Sequence, residues 1–521
     1  MPDKMHIFLI LCFALSSVIF TNCSKKYDII ISHGTVYDGS GSEGYISDVG
    51  IIGNKIVGIG DLGNNAPVFI DATGKIISPG FIDIHTHCDR SLLDEDRRSA
   101  LNYLMQGVTT VVAGNCGGGA YEVEKYYSSL TENGCGPNVV HLVGHGTVRR
   151  AVMQNADRDP TPEELEEMKR LVAKAMQEGA AGMSTGLFYV PGSYSKIEEV
   201  IELAKVVNEY NGIYATHLRD ESNYSTGLVE SIKEAIEIGE RSGAPVQISH
   251  IKALGKPVWG KSQEVTDIIE AAQARGVKVY ADQYPYIASS TNLASATMPR
   301  WAQADGKLKE NLEDSSLRIR LRREIADNIE RRGGPETLVI SSFRQNKEWE
   351  GKSLEEISVI MGKDPVDTAI ELTLMGAPGV VSFNMQEADL YHFMKKPYVM
   401  TGSDGSLPNF GEGVPHPRSY GTFPRKIREF VFNKKIITMA HAIRAATSLP
   451  AEMLGMTDRG MIKEGFIGDI VVFDPDRITD KATFNDPHQY SEGIEYLLVN
   501  GKLTIENGEY NGTLAGIPIK K

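Results

Sequence analysis

Histidine, cysteine and aspartate residues recur directly after short apolar runs in the central part of the chain. They are His85, His87, Cys116, His217, His250 and Asp404. Imidazole nitrogen, thiolate sulfur and carboxylate oxygen are the groups that ligate zinc and related metal ions in proteins. His85 and His87 stand two residues apart on a predicted strand, so both imidazoles face the same side and can share one ion. The residue types predict a metal site assembled from distant parts of the chain.

The glycine-rich segment "VVAGNCGGG" around Cys116 has four possible interpretations: a phosphate-binding loop, a nucleophilic thiol, a metal ligand or a tight turn. Its glycines lack the spacing and the lysine of a P-loop, which disfavours nucleotide binding. A thiolate is a strong zinc ligand, and coordination to a metal explains its deprotonation without further partners. We predict that Cys116 is a metal ligand, with a nucleophilic cysteine and a plain turn as the alternatives.

The elements that must position these residues alternate between short apolar strands and amphipathic helices across residues 79–454. This pattern predicts a parallel α/β barrel or a doubly wound sheet, and a count of eight candidate strands favours a (β/α)₈ TIM barrel. The predicted barrel strands end at Ile84, Ala113, Val143, Met183, Ala215, Ile248, Ala281 and Met400. The candidate ligands follow these strand ends, where active sites of this fold lie. The stretch 285–397 is too long for one strand-helix unit and predicts an insertion.

Boundary signals mark two helices of the predicted barrel. Thr161 and Glu164 form one capping box, and Ser195 with Glu198 forms a second one. Gly179 and Gly212 are the expected stops of these helices.

Both ends of the chain are rich in β-forming residues and glycine turns. Residues 27–78 and 455–521 therefore predict one small β-sandwich domain built from the two termini. Residues 1–23 contain an apolar run of signal-peptide length that ends at Cys23, as at a bacterial lipoprotein processing site. We expect an exported protein of the periplasm or outer membrane, with a lipid anchor at Cys23. A plain secretory signal and an uncleaved anchor are the alternatives.

Composition excludes some functions and restricts others. The 521 residues carry a formal net charge of −14, which argues against nucleic-acid binding because few basic groups are available to neutralise phosphates. Once Cys12 and Cys23 are set aside, Cys88, Cys116 and Cys135 remain. Three cysteines are a poor disulfide framework, so at least one thiol is expected to be free or metal-bound.

The motifs "GFIDIHTH", "GNCG", "THLRDE", "ISHIK" and "TGSDG" resemble the amidohydrolase superfamily, and within it the N-acyl-D-amino-acid deacylases, or D-aminoacylases. The resemblance extends over nearly the whole chain after residue 23 and implies the (β/α)₈ TIM barrel of the metal-dependent hydrolases. It implies one zinc ion held tightly by Cys116, His217 and His250. A second, weaker position near His85 and His87 would share Cys116 and Asp404. Many superfamily members bridge two metals with a fourth-strand lysine, but the fourth strand here, "AAGMSTGLFYVPG", contains none.

The resemblance also implies an activity: zinc-dependent hydrolysis of the amide bond of N-acyl-D-amino acids, with Asp404 as general base and then general acid. Expected substrate-binding residues are Tyr189, Lys252, Tyr284, Ser289 and Arg418. Arg418 has the planar fork suited to a carboxylate, and Tyr189 would stabilise the developing oxyanion. The partner is thus a small-molecule N-acyl-D-amino acid or D-peptide, with membrane contact only through the lipid anchor. A dipeptidase acting on D-amino-acid peptides, a cyclic-amide hydrolase and a non-catalytic metal-binding envelope protein are the alternatives.

Overall fold

A computed structural model describes residues 26–521. The predicted signal segment 1–23 and its Cys23 lie outside these residues. Within 26–521, every helix is too short or too polar to cross a membrane. The chain forms an eight-stranded barrel, a nine-stranded sheet made from both ends of the chain, and an inserted unit with its own small sheet.

The strands follow in chain order: β1 Ile29–Val36, β2 Tyr45–Ile52, β3 Lys55–Gly60, β4 Val68–Asp71, β5 Ile76–Pro79, β6 Phe81–Asp83, β7 Thr86–His87, β8 Val108–Ala113, β9 Asn138–Gly144, β10 Gly182–Gly186, β11 Ile213–His217, β12 Val246–Ile248, β13 Val279–Gln283, β14 Ser289–Asn292, β15 Leu338–Ser342, β16 Gly379–Ser382, β17 Val399–Thr401, β18 Gly405–Ser406, β19 Ile470–Phe473, β20 Ile494–Val499, β21 Lys502–Glu506 and β22 Glu509–Tyr510.

The α-helices are α1 Leu101–Leu104, α2 Val123–Asn133, α3 His145–Met153, α4 Pro162–Gln177, α5 Ile197–Glu209, α6 Leu228–Ser242, α7 Ser262–Ala274, α8 Leu293–Thr297, α9 Leu308–Glu313, α10 Arg318–Arg331, α11 Leu354–Met361, α12 Pro365–Met375, α13 Glu387–Met394, α14 Arg418–Arg425, α15 Met439–Ala446 and α16 Ser448–Leu454. A π-helix, Lys426–Asn433, continues α14.

The predicted barrel is confirmed. Its parallel strands are hydrogen-bonded in the order β6, β8, β9, β10, β11, β12, β13 and β17, and all eight predicted runs coincide with these strands. The two outer strands meet through their extensions, because β7 pairs with β18 and the Asp404 N–H donates to the His85 carbonyl at 2.8 Å. This closure brings the ends of the first and last barrel strands together at the barrel mouth.

The predicted sheet domain from the two ends of the chain is also present. Strand β5 pairs antiparallel with β19, which joins the N-terminal strands to the C-terminal ones. The pairing of β1 with β2 shifts in register between Ile31 and Gly34, and the other edge of β1 pairs first with β4 and then with β5. All nine strands belong to one hydrogen-bonded sheet. Apolar side chains of its N-terminal and C-terminal strands share a core that includes Ile31, Val49 and Val472.

The inserted unit lies within the predicted stretch 285–397. Strands β14, β15 and β16 form an antiparallel sheet, and helices α8 to α12 pack with it around a separate apolar core. Strand β14 and the end of α10 also contribute to the wall of the cavity at the barrel mouth.

One of the two predicted helix starts is wrong. The capping box of Thr161 and Glu164 is present at the start of α4. Helix α5, in contrast, has Lys196 as its N-cap residue and lacks a side-chain cap. A short 3₁₀ turn ends just before Ser195, and the Ser195 hydroxyl donates to the Gly192 carbonyl at 2.7 Å instead of capping α5.

Candidate metal centre and active site

Six candidate ligands meet at the carboxyl end of the barrel. His87 and His217 lie at the ends of β7 and β11, whereas Cys116, His250 and Asp404 follow β8, β12 and β17 in short turns. These last three residues have positive φ angles of 52°, 37° and 48°. Left-handed backbone is uncommon for residues other than glycine, and such conformations cluster at active sites. Here they accompany side chains that converge on one point.

Cys116 lies at the centre of the first group of donors. Its Sγ atom is 3.7 Å from His217 Nδ1 and 3.7 Å from His250 Nε2. Zinc–sulfur and zinc–nitrogen bonds at a tetrahedral angle place the two donor atoms about 3.6 Å apart. The separations and the donor types therefore fit a zinc ion held by Cys116, His217 and His250.

A second group of donors lies on the other side of the same thiol. His85 Nε2 is 3.5 Å from Cys116 Sγ and 3.5 Å from Asp404 Oδ1, and His87 Nε2 is 3.0 Å from the same oxygen. Cys116 thus has donors on both sides and can contribute to two metal positions. Its place between the two groups suits it to the bridging position for which the fourth barrel strand offers no lysine.

Charge in the site favours the ionised forms of the thiol and the carboxylate. Burial alone would raise the pKa of the Cys116 thiol, but His85, His217 and His250 together hold it well below its ordinary value. Burial likewise opposes ionisation of Asp404, but the positive charge of Arg418 holds the pKa of this carboxyl well below its usual range. Both groups are therefore anionic at neutral pH, as metal ligation and proton abstraction require.

Sequence reasoning missed Glu221, a buried carboxylate behind the two zinc-binding histidine candidates. Its Oε1 lies 3.0 Å from His250 Nδ1 and 2.5 Å from Lys252 Nζ, and its Oε2 lies 3.7 Å from His217 Nε2. A carboxylate that faces the outer nitrogen of a metal-binding histidine fixes the ring orientation and its tautomer. The available signal was the spacing in "THLRDE", which places Glu221 four residues after His217.

Asp282 is a second buried carboxylate that the sequence analysis did not single out. One of its oxygens accepts the His250 backbone N–H at 2.9 Å and lies 3.5 Å from His85 Nδ1. Asp282 therefore joins the turn after β12 to the histidine after β6. An aspartate directly after the apolar start of strand β13 was the signal for it.

The candidate ligands border a cavity of about 290 Å³ at the barrel mouth. All five predicted substrate-binding residues line this cavity: Tyr189, Lys252, Tyr284, Ser289 and Arg418. His85 is fully buried beneath it. The arrangement brings a metal-binding cluster, a carboxylate and several polar side chains around one space the size of a small molecule.

Three of the predicted substrate-binding side chains already have protein partners. Lys252 pairs with Glu221, and the Arg418 guanidinium stacks over the Tyr284 ring at 4.8 Å. The Ser289 hydroxyl donates to Asn384 Oδ1 at 3.2 Å. These contacts fix the orientations of the three groups before any substrate enters. Within residues 26–521 all three cysteines are free thiols, and Cys88 and Cys135 are buried away from the cavity lining.

The chain is similar to known proteins over most of its length. The model of the amidohydrolase family matches residues 68–307 and 392–505. A D-aminoacylase of Alcaligenes xylosoxydans xylosoxydans is 35% identical over 517 residues, which cover 95% of this chain and 97% of the relative. The unmatched segment between the two family matches includes helices α10 to α12 of the inserted unit.

Two solved structures are similar over almost the whole chain. One is a D-aminoacylase studied for its binuclear metal centre, with activation by one metal and attenuation by the second; it has a TM-score of 0.83 and 33% identity, over 95% of this chain and 100% of that one. The other is the N-acyl-D-glutamate deacylase of Bordetella bronchiseptica bound to zinc and a phosphonate mimic of the tetrahedral intermediate. It has a TM-score of 0.82 and 30% identity, over 95% and 100% of the two chains.

Proposed function

Since this chain belongs to the amidohydrolase family, we propose that it is a zinc-dependent hydrolase that cleaves the amide bond of N-acyl-D-amino acids. The products are a carboxylate and a D-amino acid. The observation that carries the proposal is the position of Cys116 Sγ, 3.5 to 3.7 Å from the nitrogens of His85, His217 and His250, at a cavity that Asp404 also lines. The D-aminoacylase and the N-acyl-D-glutamate deacylase that share its fold and length support the substrate class.

Cys116, His217 and His250 would hold the zinc ion, and His85 and His87 would provide a second, weaker position that shares Cys116 and Asp404. Zinc bound here supplies Lewis-acid chemistry that activates water and polarises the amide carbonyl. Asp404 is the proton-transfer group. Its Oδ1 takes the proton of the attacking water, and the same carboxyl then protonates the nitrogen of the departing D-amino acid.

The remaining side chains of the cavity bind and orient the substrate. Arg418, with Lys252, Tyr284 and Ser289, binds the α-carboxylate of the amino acid, for which a guanidinium offers two parallel donors. The Tyr189 hydroxyl donates to the carbonyl oxygen as negative charge develops on it. The high pKa of this phenol, which burial and the negative charge of Cys116 raise, keeps it protonated as a donor.

We also propose that the enzyme is exported and attached to the membrane through a lipid on Cys23, in the periplasm or outer membrane. The apolar run before Cys23 and the two lysines after it support this location. Cell fractionation of the full chain tests the proposal. The wild type is expected with the membranes, whereas Cys23→Ala is expected in the soluble envelope fraction. A wild-type protein in the cytosol would overturn it.

A hydrolysis screen beside a metal measurement tests the proposed activity. N-Acetyl derivatives of several D- and L-amino acids, an L-D dipeptide and a hydantoin are incubated with the purified enzyme. The D-configured N-acetyl compounds should be cleaved, the L-configured ones should not, and the protein should contain at least one zinc ion per chain. Cleavage of the dipeptide or the hydantoin alone would replace the deacylase assignment with a dipeptidase or a cyclic-amide hydrolase.

A further inference from the structure

Three lysine and arginine side chains of the described chain line the cavity at the barrel mouth: Lys252, Arg332 and Arg418. Lys252 pairs with Glu221, and Arg418 pairs with Asp404. Arg332 has no carboxylate within ion-pair distance among residues 26–521. The cavity therefore contains one cationic group whose charge the protein itself does not balance.

Arg332 comes from the inserted unit, at the carboxyl end of α10, and its side chain is almost completely buried. The Nε atom donates to the Tyr224 hydroxyl at 2.7 Å, and Nη1 donates to the Ser382 hydroxyl at 3.1 Å. Nη2 makes no hydrogen bond within the described part of the chain. These two neutral acceptors fix the guanidinium and leave its remaining nitrogen for a ligand in the cavity.

The surroundings of Arg332 add positive charge. Arg300 and Arg331 lie over the same Tyr224 ring, with guanidinium carbons 5.3 and 4.5 Å from its centre. Like Arg332, neither forms an ion pair with a carboxylate of residues 26–521. Burial lowers the pKa of Arg300, the nearby groups Tyr224 and Asp220 oppose this shift, and the charge of Arg332 adds to it. The region around Tyr224, next to the cavity wall that Arg332 forms, is thus rich in arginine side chains, none of which is paired directly with a carboxylate of residues 26–521.

A buried guanidinium without an anionic partner destabilises a folded protein, because desolvation is not repaid by an ion pair. Such a group is explained when a ligand supplies the missing anion. The substrate's α-carboxylate already has a proposed partner in Arg418, which lies beside Asp404 and Tyr284. Arg332 contacts neither of these residues, so its partner would be a second anionic group.

We propose that Arg332 is a specificity-determining residue that binds a second carboxylate of the substrate, separate from the α-carboxylate. This inference rests on the proposed deacylase function. The second carboxylate can belong to the side chain of an acidic D-amino acid or to a dicarboxylic acyl group. Both present the same chemistry to the guanidinium, and the substrates below distinguish them.

The experiment compares matched pairs of substrates on the purified, zinc-loaded enzyme. N-Acetyl-D-glutamate is compared with N-acetyl-D-glutamine, which has the same shape without the charge. N-Succinyl-D-leucine is compared with N-butyryl-D-leucine, which moves the test to the acyl group. We expect kcat/KM to be about 10- to 100-fold higher for the charged member of one pair, the range expected for a charge-assisted hydrogen bond.

Substitutions assign the preference to Arg332. Arg332→Gln should remove it while changing kcat/KM for the neutral substrates less than about 3-fold, and Arg332→Lys should restore part of it, because the charge returns without the planar fork. Arg331→Gln is the matched control, since Arg331 contacts Tyr224 but does not line the cavity. It should keep the preference of the wild type.

Three results would overturn the inference. Equal rates of cleavage of the charged and neutral substrates by the wild-type enzyme would exclude the second anion site without affecting the deacylase function. This comparison needs no variant, so it holds even if Arg332→Gln does not fold. An equal loss for all substrates in a folded Arg332→Gln variant would mean that Arg332 binds the α-carboxylate or only supports the fold. If no N-acyl-D-amino acid is cleaved, the proposed function fails and this inference fails with it.

Discussion

Arg418 holds Asp404 through one carboxylate oxygen, with Nη1 2.7 Å from Oδ2. The other oxygen, Oδ1, faces the imidazoles of His85 and His87. The Asp404 carboxyl therefore connects Arg418, which we propose binds the substrate, to His85 and His87, which we propose bind the second metal. Arg418 keeps this carboxyl ionised and fixed, which prepares it to accept a proton.

Replacement of the Asp404 carboxyl should impair catalysis while the tightly bound zinc is retained. Asp404→Asn should reduce kcat by about 10²- to 10⁴-fold, the usual contribution of a general acid-base group, because an amide cannot accept the proton of water. The tightly bound zinc should remain, since Cys116, His217 and His250 are unchanged. Kinetics and metal analysis of the same preparation check both expectations. Asp267→Asn, on the exposed side of α7, is the control; full activity in Asp404→Asn would remove Asp404 from the mechanism.

The thiol of Cys116 should be required for zinc and activity together. Cys116→Ala removes the central donor of both groups, so we expect loss of the bound zinc and of hydrolysis. Cys135→Ala, at a buried free thiol outside the cavity, should keep both. Chelation should inactivate the wild type, and added zinc should restore it. If Cys116 is instead a nucleophile, the opposite pattern is expected. Alkylation should then inactivate the enzyme in a way that added zinc cannot reverse, and Cys116→Ala should still bind zinc.

Glu221 should act on the metal through the histidines. Glu221→Gln keeps the shape but removes the charge that faces the outer nitrogens of His217 and His250. Loss of such a partner weakens metal binding by about 10- to 100-fold, which a zinc competition assay with a chelator measures. Glu234→Gln is the matched control, because Glu234 pairs with Arg219 and does not line the cavity. Equal zinc affinity in both variants would contradict a role for Glu221.

Lys426 should make stability depend on pH. This lysine is buried beside Thr401, and burial lowers its pKa to about 7. The unfolded chain keeps this proton to about pH 10.4, so between pH 7 and 10 the unfolded state binds more protons than the folded state. The free energy of unfolding should therefore rise with pH across this window, by about 3 to 4 kcal/mol from this group.

Lys426→Met tests this dependence directly. The variant should be more stable than the wild type at pH 7, and the difference should shrink as the pH approaches 10. Burial and the charge of Lys426 lower the pKa of the neighbouring His441 to about 4, so His441 does not titrate in this window. Urea unfolding at several pH values provides the measurement, and parallel curves for the two proteins would show that Lys426 is not the cause.

Much of the site could be predicted from the sequence because its main residues directly follow recognisable strands. A short apolar run in a barrel of this type carries its chemical residue at its carboxyl end, so the placement of His217, His250 and Asp404 followed from local pattern. The helix start at Thr161 was likewise correct, since both partners of its capping box lie within four residues. The start expected at Ser195 was wrong because a neighbouring turn competes for its hydroxyl.

The sequence by itself determined the barrel, the two-ended sheet domain and the candidate ligands, since these depend on strand periodicity and on residue types next to strand ends. Only the tertiary structure decided that Glu221 faces two of the histidines and that Asp282 connects His85 to the turn after β12. It alone placed Arg332, from a helix of the inserted unit, in the wall of the same cavity as Arg418. Contacts between side chains far apart in the chain depend on how the elements pack, and no local pattern records that packing.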